Sequence, residues 1–499
     1  MVSPDRSNAT FGTLLRELRQ SENRTLDQVA AVASRAAGTP VSRAQVQAWE
    51  DDAQTPGSAD LGHLAVALEV PQLLLDTALA KQQTAAKRIG PTVNGANDYG
   101  VGNRVRQLRH WRGMSQNAVA ELAGVTTSHL SRIENGYRAV TKRSLLEALA
   151  EALRVSPGEL TDKPWEYSDS GPDEKEQPAF VTVAEALDMY ELGEDPGVAP
   201  RAWPEVETDV GRLLDMAHVQ ANFADAAELI PSLLGDLHAA YIHNPKQRAR
   251  VLPRLIMCYR AAGSVTERLS GNSDGYTLMA AKYGQQCANE LGSPQWTGIA
   301  TWIRAHSGIP NRVRQYQRVV RAADELMPVL DDAEARQAYG MLHLSAAMAA
   351  ATQSDRDTAT THLNEASAIA DRLDDEVGTF GRAYFGRTNV GIWRVSIGVE
   401  LGDGASVAEV ARNVQVDAIP SPSRQANFFA DFGRALIPEK ATRDQGLALL
   451  LRAEKLAPQL IKNDLFVREA VGNALRSARR AAGGRELRGL AYRLGLAPS

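Results

Sequence analysis

Cysteine is nearly absent from this chain of 499 residues: only Cys258 and Cys287 occur. They have no partner pattern for zinc, and a structural disulfide is not expected of a cytosolic chain. The two thiols therefore read as small buried core residues. Aromatic residues are also scarce, at 6%. Alanine, leucine and arginine are plentiful instead, which favours helix, because alanine and unbranched side chains lose little freedom there. No apolar run approaches the roughly 18 residues of a membrane span. The N-terminal MVSPDRSNAT has no signal-peptide core, so the expected location is the cytoplasm. Catalytic signatures are missing too: there is no His-Glu-x-x-His, no glycine-rich phosphate loop and no Gly-x-Ser-x-Gly elbow. His238 and His243 are five apart with no acidic partner in frame. Neither a metal site, a cofactor nor an enzyme is expected.

What is present is length and internal repetition. A chain of this size exceeds one core and points to roughly three domains. Its formal net charge of −5 conceals a contrast. Residues 100–160 hold nine Lys/Arg against five Asp/Glu, a net of +4, whereas residues 10–80 hold five against nine, a net of −4. These two stretches are copies. Phe11 to Arg19 aligns with Val101 to Arg109, and Leu61 to Val70 aligns with Leu146 to Val155. The offset falls between the two blocks, so the first copy carries a net insertion, with Ala36 to Pro40 as its natural place. Between the copies, residues 80–100 read as a linker punctuated by Gly90-Pro91, Asn94-Gly95 and Gly100. Residues 162–180 read as a second, acidic linker.

The second copy, 101–161, has the local grammar of five short helices. Gly113, Gly124 and Gly136 end the first three. Ser115 and Thr126 are N-caps for the second and third. Two short helices about a turn at Gly124-Val125 are what a helix-turn-helix needs. The run Ser115-Gln-Asn-Ala-Val-Ala-Glu-Leu-Ala-Gly-Val-Thr-Thr-Ser-His-Leu-Ser-Arg-Ile-Glu-Asn-Gly136 closely resembles the phage-repressor/Cro-type (XRE) helix-turn-helix. The resemblance implies double-stranded DNA as partner, a backbone-phosphate contact from Gln116, and base reading from Thr127, Ser128 and Arg132. It also implies a structural ion pair between Arg109 and Glu134. Arginine can hydrogen-bond guanine in bidentate fashion, and Thr and Ser are versatile short-range partners. Thr126, opening the reading helix, belongs to the same surface. Arg138, Lys142 and Arg143 follow that helix and suit phosphate contacts, which position without reading sequence. His129 reads either as a groove contact or as a solvent-exposed side chain. A helical bundle serving only protein contact is the alternative for the whole constellation, and the net charge and arginines disfavour it.

The first copy, 8–79, is degenerate. It keeps the ion-pair candidates Arg19 and Glu50 but has Leu26 at the glutamine position and Ala48 at the position of Arg132. Its third helix ends in Glu50-Asp51-Asp52, which repels phosphate. Arg43 and Gln45 are auxiliary DNA-contact candidates, and use in protein contact is the competing reading.

From 181 to 499 the chain is a series of alanine-rich amphipathic segments. Breaks at Gln353-Ser-Asp355, Leu401-Gly-Asp403 and Ile437-Pro-Glu-Lys440 are each followed by a further helical run: Ala359 to Ala370, Val407 to Val414, Gly446 to Ala457. Helix, turn, helix at roughly 45 residues is the pattern of a helical solenoid. Tyr384 to Asp403 and Leu447 to Pro458 resemble the C-terminal region of actinobacterial XRE regulators with tetratricopeptide-like repeats. The expected fold is therefore all-α: two Cro/repressor-type helix-turn-helix bundles followed by a tetratricopeptide-like helical-repeat solenoid. The resemblance implies a DNA-binding transcriptional regulator whose repeats sense a small-molecule or peptide effector; a homodimer is expected because paired half-sites raise affinity and match two-fold symmetry. The alternative is a protein-interaction or dimerisation scaffold with no small-molecule ligand. Arg387, Asn389 and Trp393 are the candidate ligand residues; packing is the competing reading for Trp393, and helix bridging for Asn389. Trp296, Trp302 and Tyr316 with Arg304, Arg312 and Arg314 form a second mixed cluster, for which a helix-helix interface with a basic rim is the plainer account.

Overall fold

The computed structural model describes residues 11–21, 24–51, 54, 56–68, 70, 75, 100–161, 176–199, 201–269, 274–307, 312–478 and 484–496. Every regular element among them is helical. The linker expected at 80–100 lies outside the described residues except for Gly100, as does 162–175 of the acidic one. The chain divides into two compact units, Met1–Asn97 and Asp98–Ser499.

The first unit contains α1 (Phe11–Ser21), α2 (Leu26–Ala37), α3 (Arg43–Glu50) and α4 (Ser58–Ala67). Phe11, Leu15, Val29, Val46, Trp49, Leu64 and Leu68 build its core. Thr25 starts α2 with a capping box. Its hydroxyl accepts from the Gln28 N–H at 3.2 Å, and the Gln28 side chain accepts from the Thr25 N–H at 2.7 Å. The insertion expected at Ala36 to Pro40 is absorbed largely by lengthening this helix. α2 has 12 residues where its counterpart in the second copy has 7. Alanine-rich sequence costs little to extend as helix, and Gly38, at φ 66°, stops it.

The second unit opens with α5 (Val101–Trp111), α6 (Gln116–Leu122), α7 (Thr127–Glu134), α8 (Arg143–Ala152) and α9 (Pro157–Leu160). Gly113, Gly124 and Gly136 follow the first three of these at φ 63°, 63° and 68°. Such left-handed residues release a helix at almost no cost when they lack a Cβ. Val105, Val119, Leu130, Ile133, Leu149 and Leu153 form the small core beneath them.

The remainder is helix laid on helix. α10 (Glu176–Met189) begins inside the stretch expected to be linker. Val183, Ala186 and Leu187 give that segment a buried apolar stripe, and Pro178 falls in the first turn, where its missing N–H is harmless. α11 (Trp203–Asp215), α12 (Phe223–His243), α13 (Arg248–Leu269), α14 (Asp274–Leu291), α15 (Pro294–Ala305) and α16 (Arg312–Leu326) follow. Then come α17 (Ala333–Thr352), α18 (Arg356–Ala370), α19 (Arg387–Leu401), α20 (Val407–Ala411), α21 (Pro422–Leu436), α22 (Arg443–Leu456), α23 (Pro458–Lys462), α24 (Leu465–Ala478) and α25 (Arg485–Arg493). Neighbours pair lengthwise, as α13 with α14, α17 with α18, and α21 with α22. All three expected breaks are turns between helices. At the first, the Asp355 carboxylate accepts from the Thr358 N–H at 3.1 Å and starts α18. The run expected from Val407 to Val414 ends at Ala411. There Asn413 turns its amide back onto the Glu409 carbonyl at 3.3 Å, competing with the ladder.

Cys258 and Cys287 are both buried free thiols in the larger of the two cores here. Burial pushes the Cys258 thiol far up and the Cys287 thiol up to about 12. A second core gathers α15 to α19. In it the tip of the Phe385 ring lies so close to Gly340 that a Cβ there would collide with Cζ. Gly340→Ala is expected to overpack this contact at a cost of about 1–3 kcal/mol. A lowered denaturant midpoint with the helical signal otherwise intact is the result to look for.

Candidate nucleic-acid interface

α6 and α7 are set by their own caps. The Ser115 hydroxyl accepts from the Ala118 N–H at 3.1 Å, and the Thr126 hydroxyl accepts from the His129 N–H at 3.1 Å. Leu130 and Ile133 bury one face of α7. The other face leaves Thr127, Ser128 and Arg132 exposed. Ser128, Ser131, Arg132, Asn135 and Tyr137 line an open hollow of about 580 Å³. Ser131, Asn135 and Tyr137 escaped the reading of the sequence, although Ser131 and Asn135 stand three and seven positions after Ser128, on its face of the helix. Thr127 also donates to the Asn117 side chain of α6 at 3.1 Å, tying the two helices together at the surface.

Behind this surface lies the expected ion pair. Arg109 donates to Glu134 from Nε at 2.6 Å and from Nη2 at 2.8 Å, with the side chains 8% and 1% exposed. The hydrogen bonds to Glu134 hold the guanidinium pKa above its ordinary value against the opposing effect of burial. α5 approaches α7 closely at Gly102, where a Cβ would collide with the Ile133 carbonyl. Gln116 joins the pair: its Nε2 donates to Glu134 Oε2 at 2.7 Å. The first copy repeats this frame, with Arg19 bonded to Glu50 at 2.6 and 2.9 Å and Gly12 against the Glu50 carbonyl. Leu26 supplies no third partner there. Arg43 is exposed beside Asp27 at 3.6 Å. Gln45 is half-buried, and its N–H donates to the Ser42 cap at 3.1 Å.

His129 is half-buried rather than solvent-exposed. Burial, followed by the charges of Arg138, Arg132 and Lys142, pushes its pKa down. The imidazole is therefore neutral among three cations. Arg138 is exposed just beyond α7.

A family model described as a helix-turn-helix domain matches residues 101–163. Residues 101–163 are a helix-turn-helix domain. The HTH-type transcriptional repressor RghR of Bacillus subtilis (strain 168) is 43% identical over 54 residues, 11% of this chain and 40% of that one. An uncharacterized HTH-type transcriptional regulator, y4wC of Sinorhizobium fredii (strain NBRC 101917 / NGR234), is 39% identical over 62 residues, 12% of this chain and 43% of its own. The chain thus spans about two fifths of the length of these curated relatives. Among solved structures, Bacillus thuringiensis PlcR in complex with the peptide PapR7 and DNA aligns over 73% of this chain and 96% of its own, at 11% identity and a TM-score of 0.27.

The helix-turn-helix domain is seated on the repeats through its uncapped ends. Gly100 precedes α5 and Lys142 precedes α8, and neither residue caps with its side chain. Glu469 of α24 accepts from the Val101 N–H at 2.9 Å. Glu400 of α19 accepts from the N–H groups of Arg143 and Ser144 at 3.1 and 2.9 Å. Glu400 is 3% exposed and Glu469 7%. Burial pushes the Glu469 carboxyl pKa up despite the Val101 bond. Arg434 of α21 donates to the Thr141 carbonyl, and Arg476 of α24 to the Gly136 carbonyl at 3.2 Å. Leu465 and Phe466 pack against the core of the helix-turn-helix domain. Because this end of α8 is docked, Lys142 and Arg143, expected at phosphates, are placed at the seam. The Lys142 ammonium lies beside Gly402, and the Arg143 guanidinium lies 5.9 Å from the Phe466 ring.

The three candidate ligand residues part company. Arg387 lines an open cleft of about 490 Å³ with Glu376, Thr388, Arg394, Glu409 and Asn413, and its Nε donates to Glu376 at 2.8 Å. Asn389 is buried and committed. Its Nδ2 donates to the Ala383 carbonyl at 3.0 Å, and its Oδ1 accepts from Arg424 at 2.9 and 3.1 Å. Trp393 is 7% exposed, with its indole N–H unpartnered among the described residues. In the second mixed cluster, Tyr316 bonds His362 at 3.0 Å and Trp296 packs on Phe380, while the Arg312 side chain lies outside the described residues.

Arg109→Ala is expected to leave Glu134 buried and unpaired, at a cost of about 3–5 kcal/mol. Chemical denaturation of the full chain, followed by amide exchange at residues 101–160, should show this domain unfolding first. Equal protection in the variant and the parent would refute that account of the pair.

Proposed function

We propose that the protein is a sequence-specific DNA-binding transcriptional regulator whose helical repeats respond to a small molecule or peptide and alter DNA binding. The reading face is assigned to Thr126, Thr127, Ser128 and Arg132, with Arg138 positioning the duplex through phosphate. Gln116 reaches phosphate by exchanging its bond to Glu134, and Arg143, exposed at the seam, remains within the phosphate-contacting set together with Lys142. The protein acts as a homodimer in the cytoplasm, because paired half-sites raise affinity and match two-fold symmetry.

One observation carries the regulatory half of this reading. α19 holds Asn389 and Trp393 in the interior of the repeats and ends in Glu400 under the helix-turn-helix domain. α21 likewise holds Arg424 beside Asn389 and ends in Arg434 at Thr141. Midway, the Ser396 hydroxyl of α19 donates to Asp431 of α21 at 2.5 Å, and Asp431 pairs with Arg434 at 2.8 Å. Burial opposes ionisation of Asp431, but the charge of Arg434 and the Ser396 bond outweigh it and keep this carboxylate below its usual pKa. A ligand that prefers one arrangement of these two helices shifts the domain they hold; equal affinity for both arrangements would shift nothing.

Selection of bound duplexes from a random pool by the full chain, at moderate salt, is expected to return a sharp motif, with a two-fold repeat if the dimer reads DNA. Arg132→Ala should cost about 1–3 kcal/mol at a single base pair and relax preference there. Arg138→Ala should weaken all sequences alike and flatten the salt dependence. An unaltered preference in Arg132→Ala overturns the assigned reading face.

Glu400→Ala strips two N–H groups of α8 of their acceptor, which costs about 1–3 kcal/mol. Faster amide exchange at Arg143 and Ser144, with the repeats unchanged, is expected. If exchange there stays slow, the seam is not held by this carboxylate.

A further inference from the structure

Within the repeats, five side chains from four separate segments form one continuous row. The Arg260 guanidinium of α13 lies 4.7 Å from the Trp302 ring of α15. Trp302 meets His306 edge to face at 5.9 Å, and His306 meets Trp393 of α19 at 5.7 Å. Arg424 of α21 closes the row 5.4 Å from Trp393. The row mixes cation–π contacts with aromatic edges, arrangements that hold flat surfaces in place.

Its electrostatics are unbalanced. Neither Arg260 nor Arg424 has a carboxylate within ion-pair distance among the described residues. Arg260 donates to the Gly381 carbonyl, and Arg424 to Asn389 Oδ1. Asp431, the charge that steadies Arg424, is already taken by Ser396 and Arg434. Burial lowers both guanidinium pKa values to about 10, yet both side chains remain half-exposed and His306 is exposed. Two indole N–H groups, of Trp302 and of the nine-tenths-buried Trp393, have no acceptor among the described residues. A buried donor without a partner, or a cation without a counter-charge, costs free energy that a fitting anion would recover. The backbone beside Arg260 is strained as well. Arg382 and Tyr384 sit at φ 49° and 54°, a region that residues with a Cβ rarely enter. Such strain gathers at ligand-binding positions.

We propose that the row from Arg260 through Trp302, His306 and Trp393 to Arg424 binds an organic carboxylate with a flat apolar body. The acid group pairs with a guanidinium and an indole N–H, and the body lies on the aromatic edges. This assignment rests on the ligand-responsive reading above and gives the effector its chemistry. It also links that effector to the seam, since Trp393 and Arg424 stand on the two helices that end at the helix-turn-helix domain.

The test is calorimetric titration of the full chain with 2-naphthoate and with its neutral counterpart, 2-naphthalenemethanol. A second arm uses acetyl-Leu-Phe with a free or an amidated C-terminus, which separates a small acid from a peptide end as the source of the carboxylate. At least one acid should bind about tenfold tighter than its neutral partner, because charge-assisted bonds are roughly twice as strong as neutral ones. Arg260→Met or Arg424→Met should erase that preference, and Trp393→Phe, which keeps the packing, should weaken it several-fold. Circular dichroism and retained binding of the selected duplex confirm that each variant folds. Equal binding of acid and neutral forms, indifference to both arginine variants, or no binding by either acid at millimolar concentration overturns the site. If no acid binds while the random pool still yields a motif, the site falls and the DNA-reading assignment stands. If acids bind as expected without changing affinity for the motif, the site stands and effector control of DNA binding falls.

Discussion

Two buried carboxylates hold the helix-turn-helix part of this chain in place. Glu400 and Glu469 supply, from hundreds of residues away, the N-terminal caps that α5 and α8 do not carry themselves. A helix start leaves N–H groups pointing outward, and a carboxylate there is favoured by the helix dipole as well as by the hydrogen bonds. The domain is thus completed by the surface on which it sits. Its orientation is not that of a bead on a string, because the caps, the Arg434 and Arg476 bonds to carbonyls, and Leu465 and Phe466 act together.

Much of this was legible in the sequence wherever the signal is local. Gly113, Gly124 and Gly136 announced the ends of α5, α6 and α7, and Ser115 and Thr126 announced two starts. The Arg109–Glu134 pair followed from the family resemblance, and the first copy carried its own version in Arg19 and Glu50. The breaks at Ser354, Gly402 and Pro438 separated real helices. What failed to show was long-range. Nothing near Glu400 in the sequence says that its carboxylate meets the N–H of Arg143. The hint was negative: Gly100 and Lys142 are poor caps, and an uncapped helix that ends up buried needs a partner from elsewhere. Lys142 and Arg143 read as phosphate contacts on charge alone; the seam beside them, which rests on Glu400, was not visible.

The same distinction explains the ligand residues. Arg387, Asn389 and Trp393 are close in sequence, but a helix sends them to different sides. Arg387 faces an outer cleft, whereas Asn389 and Trp393 face inward toward Arg424. Trp302 and Trp393, which belonged to two separate clusters in the sequence, are joined through His306. The two copies at the N-terminal end show the converse. An identical frame of glycine and ion pair persists while the residues laid over it diverge, Gln116 against Leu26 and Arg132 against Ala48. A scaffold is retained by packing; its surface is free to change occupation.

The two thiols bear on how such a protein ages. Cys258 and Cys287 are buried, and burial suppresses their thiolates, the form that reacts with peroxide or with a disulfide. Oxidants must therefore wait for the core to open before they can modify either one. Oxidative damage at these two positions would report on unfolding rather than cause it.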